Sequence, residues 1–259
     1  GSGGSGTNVL WFWRGGGTSN TFNKDGTGFG TASAAGLTAG NTTPTKSSVN
    51  TVAGFSIIEY AGSGASNQSI PHGLSDCEII FIKNKGSSAD WQSFGEPLFD
   101  RMQLNSDGGD DASHEFTLSS TTFTSPSHVA TEWNASGQNY MAYCFTSITG
   151  FSKIGTYNGS SSEHTVDLGF APAWIMIKRT DTSGGWRIFD YKRDSGTGDR
   201  RVDHSLQAQS GGAEFDSSST PNGEYLRFTD TGLRFPSYAT NADVNNSSGT
   251  YIYIAFARD

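Results

Sequence analysis

The sequence predicts an all-β protein: two tandem antiparallel β-sandwich domains from an internal duplication, preceded by an N-terminal strand and a linker. Three observations carry this. First, a set of phrases occurs twice in the same order. Gly54-Phe55-Ser56-Ile57-Ile58, Ile79-Ile80-Phe81-Ile82-Lys83, Trp91, Phe94 and Tyr140–Phe145 return as Gly150-Phe151-Ser152-Lys153-Ile154, Trp174–Lys178, Trp186, Phe189 and Tyr251–Phe256. The offset is 96 at Gly54/Gly150, 95 at Lys83/Lys178 and Trp91/Trp186, and 111 at Tyr140/Tyr251, so length changes fall between the apolar runs. A period this long makes each copy large enough to be a domain. Second, aromatic residues are 12% of the chain and glycines number 34 against 7 prolines, a balance that suits short strands joined by many turns. Third, no window sustains the i, i+3, i+4, i+7 apolar spacing of an amphipathic helix.

In chain order, residues 1–6 are a flexible Gly/Ser linker set apart from the fold. Residues 7–53 hold an expected strand at Val9–Arg14, resembling the closing strand of each copy, and then a linker rich in Gly, Thr, Ser, Ala and Asn with few residues able to bury anything. Residues 54–149 are the first sandwich. Phe55–Tyr60, Ser69–Pro71, Ile79–Lys83, Trp91–Phe94, Phe116–Leu118, Thr121–Thr124, Val129–Trp133 and Tyr140–Phe145 are its expected strands. The unbroken apolar run of Ile79–Ile82 marks a central strand buried on both faces. Residues 150–259 are the second sandwich, with a longer middle loop from Arg193 to Gly223. About seven to nine short strands per copy, at roughly 8–12-residue spacing, are the pattern of a sandwich.

The net charge of -8 lacks any basic stripe, and Lys178-Arg179, Lys192-Arg193 and Arg200-Arg201 read as isolated solvated pairs, so no nucleic-acid partner is expected. No run of 18 apolar residues exists, so no membrane insertion is expected. Cys77 and Cys144 have alanine at or near the matching positions of the second copy (Ala173, Ala255), which favours two small buried thiols over a fold-defining bridge.

The phrases Ala53–Ile58, Ile80–Lys83, Trp174–Asp181 and Gly249–Ala257 resemble a repeated β-domain of tailed-phage virion proteins, found in tail-fibre-like proteins of marine and other environmental phages. The resemblance runs from about Val9 to Asp259 and departs from the family pattern at Ser75-Asp76-Cys77 and Glu132-Trp133. It implies a virion, extracellular setting, neighbouring virion domains as partners and no catalytic residues to carry over.

The chemistry-bearing residues give a short list. Trp91 and Trp186 follow equivalent hairpin turns and either stack a sugar ring, with Asp90 or Arg187 hydrogen-bonding hydroxyls, or serve as core aromatics. Trp133 has no aromatic counterpart and sits beside a turn, which makes it the candidate for an exposed contact. Asp107, Asp110 and Asp111 form an acidic, glycine-containing loop that lacks the calcium-loop order, so a solvated loop is expected and neither metal nor cofactor. Five histidines (72, 114, 128, 164 and 204) show no triad pattern, and carboxylate pairs such as Asp100 with Glu115 or Asp190 with Glu214 are the only hydrolytic arrangement that spacing leaves open. Gly26–Gly30 has no strand–loop–helix around it and is no nucleotide loop. The Asn-x-Ser/Thr triplets, Asn134 and Asn245 among them, read as compositional.

The expected function is therefore a non-enzymatic structural and adhesive module of a tail fibre or virion appendage. Tandem sandwiches would form a stiff rod, a bacterial surface glycan or receptor would be the partner, and a homotrimer is the common state of such appendages. The alternatives are a carbohydrate-binding module and a polysaccharide-degrading hydrolase.

Overall fold

The computed structural model describes residues 12–193, 201–217, 225–239 and 241–258. The first part of the chain contributes β1 (Phe22–Lys24), β2 (Thr27–Phe29), β3 (Lys46–Asn50), β4 (Phe55–Ala61), β5 (Ser69–Pro71), β6 (Ile79–Asn84), β7 (Gln92–Gly95), β8 (Phe99–Gln103), β9 (Thr117–Leu118), β10 (Thr122–Thr124) and β11 (Asn139–Phe145). The second contributes β12 (Ser152–Asn158), β13 (His164–Asp167), β14 (Pro172–Arg179), β15 (Arg187–Asp190), β16 (Arg201–Val202), β17 (His204–Gln207), β18 (Phe215–Asp216), β19 (Leu226–Phe228), β20 (Gly232–Phe235) and β21 (Thr250–Ala257). No helix occurs among the described residues.

Four sheets result. An eight-stranded sheet, β2-β1-β3-β4-β11-β6-β7-β8, lies against a three-stranded sheet, β5-β10-β9. A six-stranded sheet, β12-β21-β14-β15-β17-β18, lies against a four-stranded one, β13-β20-β19-β16. The run β4-β11-β6-β7 in the first half and β12-β21-β14-β15 in the second place the repeated phrases in the same strand order.

The two large sheets also pack on each other, and strand alternation shows how. In β6, Ile80 and Ile82 point into the core of the first half, while Ile79 and Phe81 point the other way. In β14, Ile175 and Ile177 enter the second core, while Trp174 and Met176 meet Ile79 and Phe81 in a shared cluster with Phe55, Phe145, Trp186, Ile252 and Ile254. The central strands are thus apolar on both faces because each face has a partner. The arrangement is four sheets deep with the large sheets face to face, which replaces the expected rod of sandwiches joined end to end.

Polar ties close this seam. The Trp186 indole Nε1 donates to the Gln103 carbonyl at 2.9 Å, and Gly184 N donates to the Asp107 carbonyl at 2.8 Å. Asp110 N donates to the Thr180 carbonyl at 2.8 Å. Gly109 fits there because a Cβ would lie 2.9 Å from the Thr180 carbonyl oxygen. Lys178 is fully buried, its Nζ donating to the carbonyls of Arg179 (2.5 Å) and Asp107 (3.5 Å). Lys178-Arg179 is therefore no solvated pair.

Three further expectations change. Residues 15–50 are not an apolar-poor linker: β1, β2 and β3 extend the large sheet, and Phe22, Ala32, Ala35 and Leu37 form their own buried cluster. Val129–Trp133 is not a strand but leads into a turn in which Asn134 N and Ala135 N both donate to the Ala130 carbonyl. Of the strand expected at Val9–Arg14, residues 9–11 lie outside the described residues and 12–14 carry no strand structure. Part of the Arg193–Gly223 loop also lies outside them. Cys77 and Cys144 are free, buried thiols, as expected.

Candidate functional site

The turn before each closing strand is built alike. Tyr60 and Tyr140 stack with centroids 5.2 Å apart, and Tyr157 and Tyr251 at 4.9 Å. Tyr60 Oη donates to the Trp133 carbonyl (2.8 Å) and Tyr140 Oη to that of Thr131 (2.9 Å). Tyr157 and Tyr251 likewise donate to Val244 (2.6 Å) and Ala242 (2.9 Å). Burial pushes the Tyr60 and Tyr157 phenols well above their ordinary range. Asn134 and Asn245 are buried amide keys in these turns, Nδ2 donating to Ala65 (2.9 Å) and Ser160 (3.1 Å) carbonyls, so neither triplet is an exposed modification site.

This turn buries Trp133. Only 1% of it is exposed, its Nε1 donates to the His128 carbonyl at 3.1 Å, and its ring packs edge-on to Phe94 and Phe116. The expectation of an exposed contact is corrected: a turn whose backbone is held by Tyr60 sends the indole inward, where its apolar area leaves water. Trp186 is equally buried, in the seam. Trp91 is half-buried and lies against Tyr143, centroids 5.8 Å apart.

The polar residues beside them in the sequence reading serve the fold. Asp90 accepts from Asn105 Nδ2 (2.7 Å) and Gln103 Nε2 (3.2 Å). Arg187 is buried, donates from Nε to Asp243 at 2.8 Å and from a second nitrogen to Ser205 at 3.1 Å, and lies over the Phe215 ring. Asp111 pairs with Arg101, and Asp110 Oδ1 accepts from the amides of Asp100 and Arg101, each at 3.0 Å. Asp107 and Asp110 are exposed, as a solvated loop predicts, while the loop's backbone is tied to Thr180 and Gly184 of the second half. Among the described residues no three His, Cys, Asp or Glu side chains converge as a metal set would. Asp190 and Glu214 both pair with Arg193. Asp100 has its carboxyl raised, first by desolvation and then by Asp110 and Glu115.

Two concavities line the seam-facing side of the eight-stranded sheet. The first, about 460 Å³, is an aromatic cleft between the large sheets, walled by Trp91, Tyr143 and Phe81 on one side and Trp174, Met176 and Ile188 on the other. Trp13 sits at it, edge-on to Trp174 (5.8 Å), Phe256 (5.9 Å) and Phe145 (6.5 Å). The second, about 480 Å³, is a polar groove lined by Thr18, Ser19, Asn20, Thr21, Asn23, Lys46, Ser47, Ser48 and Glu59 over Ile57 and Met141. Ile57 borders both.

Strand register builds the groove. Asn23 pairs with Ser48, Ser48 with Ile57, and Met141 with Glu59, so Asn23, Ser48, Ile57, Glu59 and Met141 share one face. Asn23 is 5% exposed; its Nδ2 donates to the carbonyls of Asn20 (2.5 Å) and Ser47 (3.5 Å), while Oδ1 has no partner. Gly28 on β2 backs the rim: a Cβ there would stand 1.8 Å from Asn20 Nδ2 and 2.8 Å from Thr18 Oγ1. Sequence reasoning missed this site because composition alone marked the stretch as linker. The signal was present in Asp25-Gly26, a two-residue hairpin turn with φ of 50° and 82° between short strands.

No curated protein and no solved structure matches the chain. A family model matches it over nearly its whole length: with residues 2–259 matched, the chain belongs to the DUF7483 family, a domain of unknown function.

Proposed function

We propose that this chain is a structural and adhesive module of a phage tail fibre or comparable virion appendage that contributes to attachment at a bacterial surface. The repeated phrases and their common strand order support a duplicated domain of the kind the sequence resembles. The observation that carries the adhesive part is the groove beside the aromatic cleft, an open concave surface on a scaffold tied together by a shared apolar seam. Concave sites with a few convergent polar groups on rigid elements are where binding is found. The carboxylates Asp190 and Glu214 are held by one arginine, an arrangement that serves the fold better than hydrolysis.

The test is retention of the purified protein on whole bacterial cells from several hosts, with light scattering for the expected trimer. Saturable binding to some hosts supports attachment. Retention on none would reduce the module to a spacer between virion domains.

A further inference from the structure

We infer that the polar groove between Thr18–Asn23 and strands β3, β4 and β11 is a binding site for an uncharged oligosaccharide chain. This deepens the attachment reading and rests on it.

The chemistry of the lining points to that class. A sugar presents hydroxyls that both donate and accept, set around C–H faces that pack on apolar surface. The groove offers hydroxyls from Thr18, Ser19, Thr21 and Ser48 and amides from Asn20 and Asn23, over the apolar Ile57 and Met141. Its volume, about 480 Å³, lies within the range of about 300–1,000 Å³ usual for ligand sites. Of the lining residues Lys46 and Glu59 alone are charged; they stand 4.0 Å apart, and Glu59 is paired a second time with Lys85 at 2.7 Å. The acid is thus balanced within the protein, which fits a neutral ligand better than an ionic one.

The second, independent observation is Asn23. A buried polar atom without a partner is uncommon and calls for an explanation. Asn23 Oδ1 is such an atom, on the face that lines the groove, while the amide nitrogen of the same side chain is already committed. Oδ1 has almost no accessible surface in the free protein, so a ligand hydroxyl satisfies it once the Asn23 side chain turns toward the groove. From this end the sheet face runs past Met141 and Ile57 to Tyr143 and Trp91, so a longer chain leaving the groove would meet aromatic rings next.

The full chain is applied to a printed array of neutral and acidic oligosaccharides, then titrated by calorimetry with cellotriose, mannotriose and trigalacturonate. Three forms are compared: the native chain, Asn23→Leu, which removes the acceptor, and Met141→Trp, which fills the groove floor from a half-buried position on β11. Circular dichroism checks folding, so that Met141→Trp decides if Asn23→Leu misfolds. Neutral oligosaccharides are expected to bind, with affinity lowered by about tenfold or more in either variant. Binding of acidic sugars alone, neutral binding unchanged in both folded variants, or no array member retained each overturns the inference. Cells retained without sugar binding would sink this inference and leave attachment standing; sugar binding without cell retention would do the reverse.

Discussion

The indole nitrogen of Trp186 donates to the backbone carbonyl of Gln103 across the seam between the two halves, at 2.9 Å. The bond joins an aromatic that follows the second hairpin turn to the last residue of β8 in the first half. Its ring lies against Phe81, centroids 6.1 Å apart, and under the Lys178 ammonium at 6.0 Å.

Trp186→Phe keeps most of the apolar area and removes one of the two hydrogen bonds to that carbonyl, which still accepts from Ser106 N at 3.2 Å. A cost of about 0.5–1.5 kcal/mol is expected for the lost bond, which in a chain of this size lowers Tm by about 2–4 °C per kcal/mol. Because the shared cluster couples both halves, calorimetry should show a single transition moving as one. Two separating transitions would mean that the seam is not cooperative.

Trp133→Ala should act on stability and not on recognition. The residue is buried among Phe94, Phe116 and the turn that Tyr60 anchors. Truncating a buried tryptophan costs about 3–5 kcal/mol, measurable as a lower denaturant midpoint. Loss of sugar binding with an unchanged midpoint would contradict the burial.

Lys178 gives a pH dependence. Burial lowers its pKa from the ordinary 10.5 to about 8, against the pull of Asp107 and Asp243. Between those values the unfolded chain holds the proton and the folded chain does not, so raising the pH favours the folded state. The native protein should gain stability between pH 8 and 10 relative to Lys178→Met. Tyr253, raised by burial to about 12, works in the opposite sense at higher pH, because the unfolded chain then loses its proton first. Urea midpoints across the series check this; parallel curves for the two proteins would refute it.

Asp181 governs the acid side. Its carboxylate accepts from Arg179 at 2.9 and 2.7 Å and from Thr250 N at 2.9 Å, tying the first hairpin turn of the second half to β21. These bonds, the Arg179 pair foremost, hold its pKa at about 2, below the ordinary 3.8. The stability it contributes is fully present above 3.8 and is lost as the pH falls through about 2. Asp181→Asn should be less stable at neutral pH and less sensitive to acid within that window, read from thermal melts. Equal acid sensitivity would assign the effect to other carboxylates.

The sequence by itself determined the strands with the strongest local signature. The run Ile79–Ile82 and its counterpart Trp174–Ile177 could only be central, since an unbroken apolar strand needs cover on both faces. The alanines at or near the matching positions of the second copy, Ala173 and Ala255, made Cys77 and Cys144 buried thiols instead of a bridge. Tertiary structure alone decided what provides the second cover, namely the other half's large sheet, because nothing in a strand's own alternation names its partner. It also decided the direction of Trp133, which depends on a hydrogen bond from Tyr60, 73 residues away in the chain. The groove was the least legible part. Asn23, Ser48 and Met141 are ordinary polar and apolar residues in the chain, and they face one cavity only because a parallel pairing of β1 with β3 sets their register on one sheet.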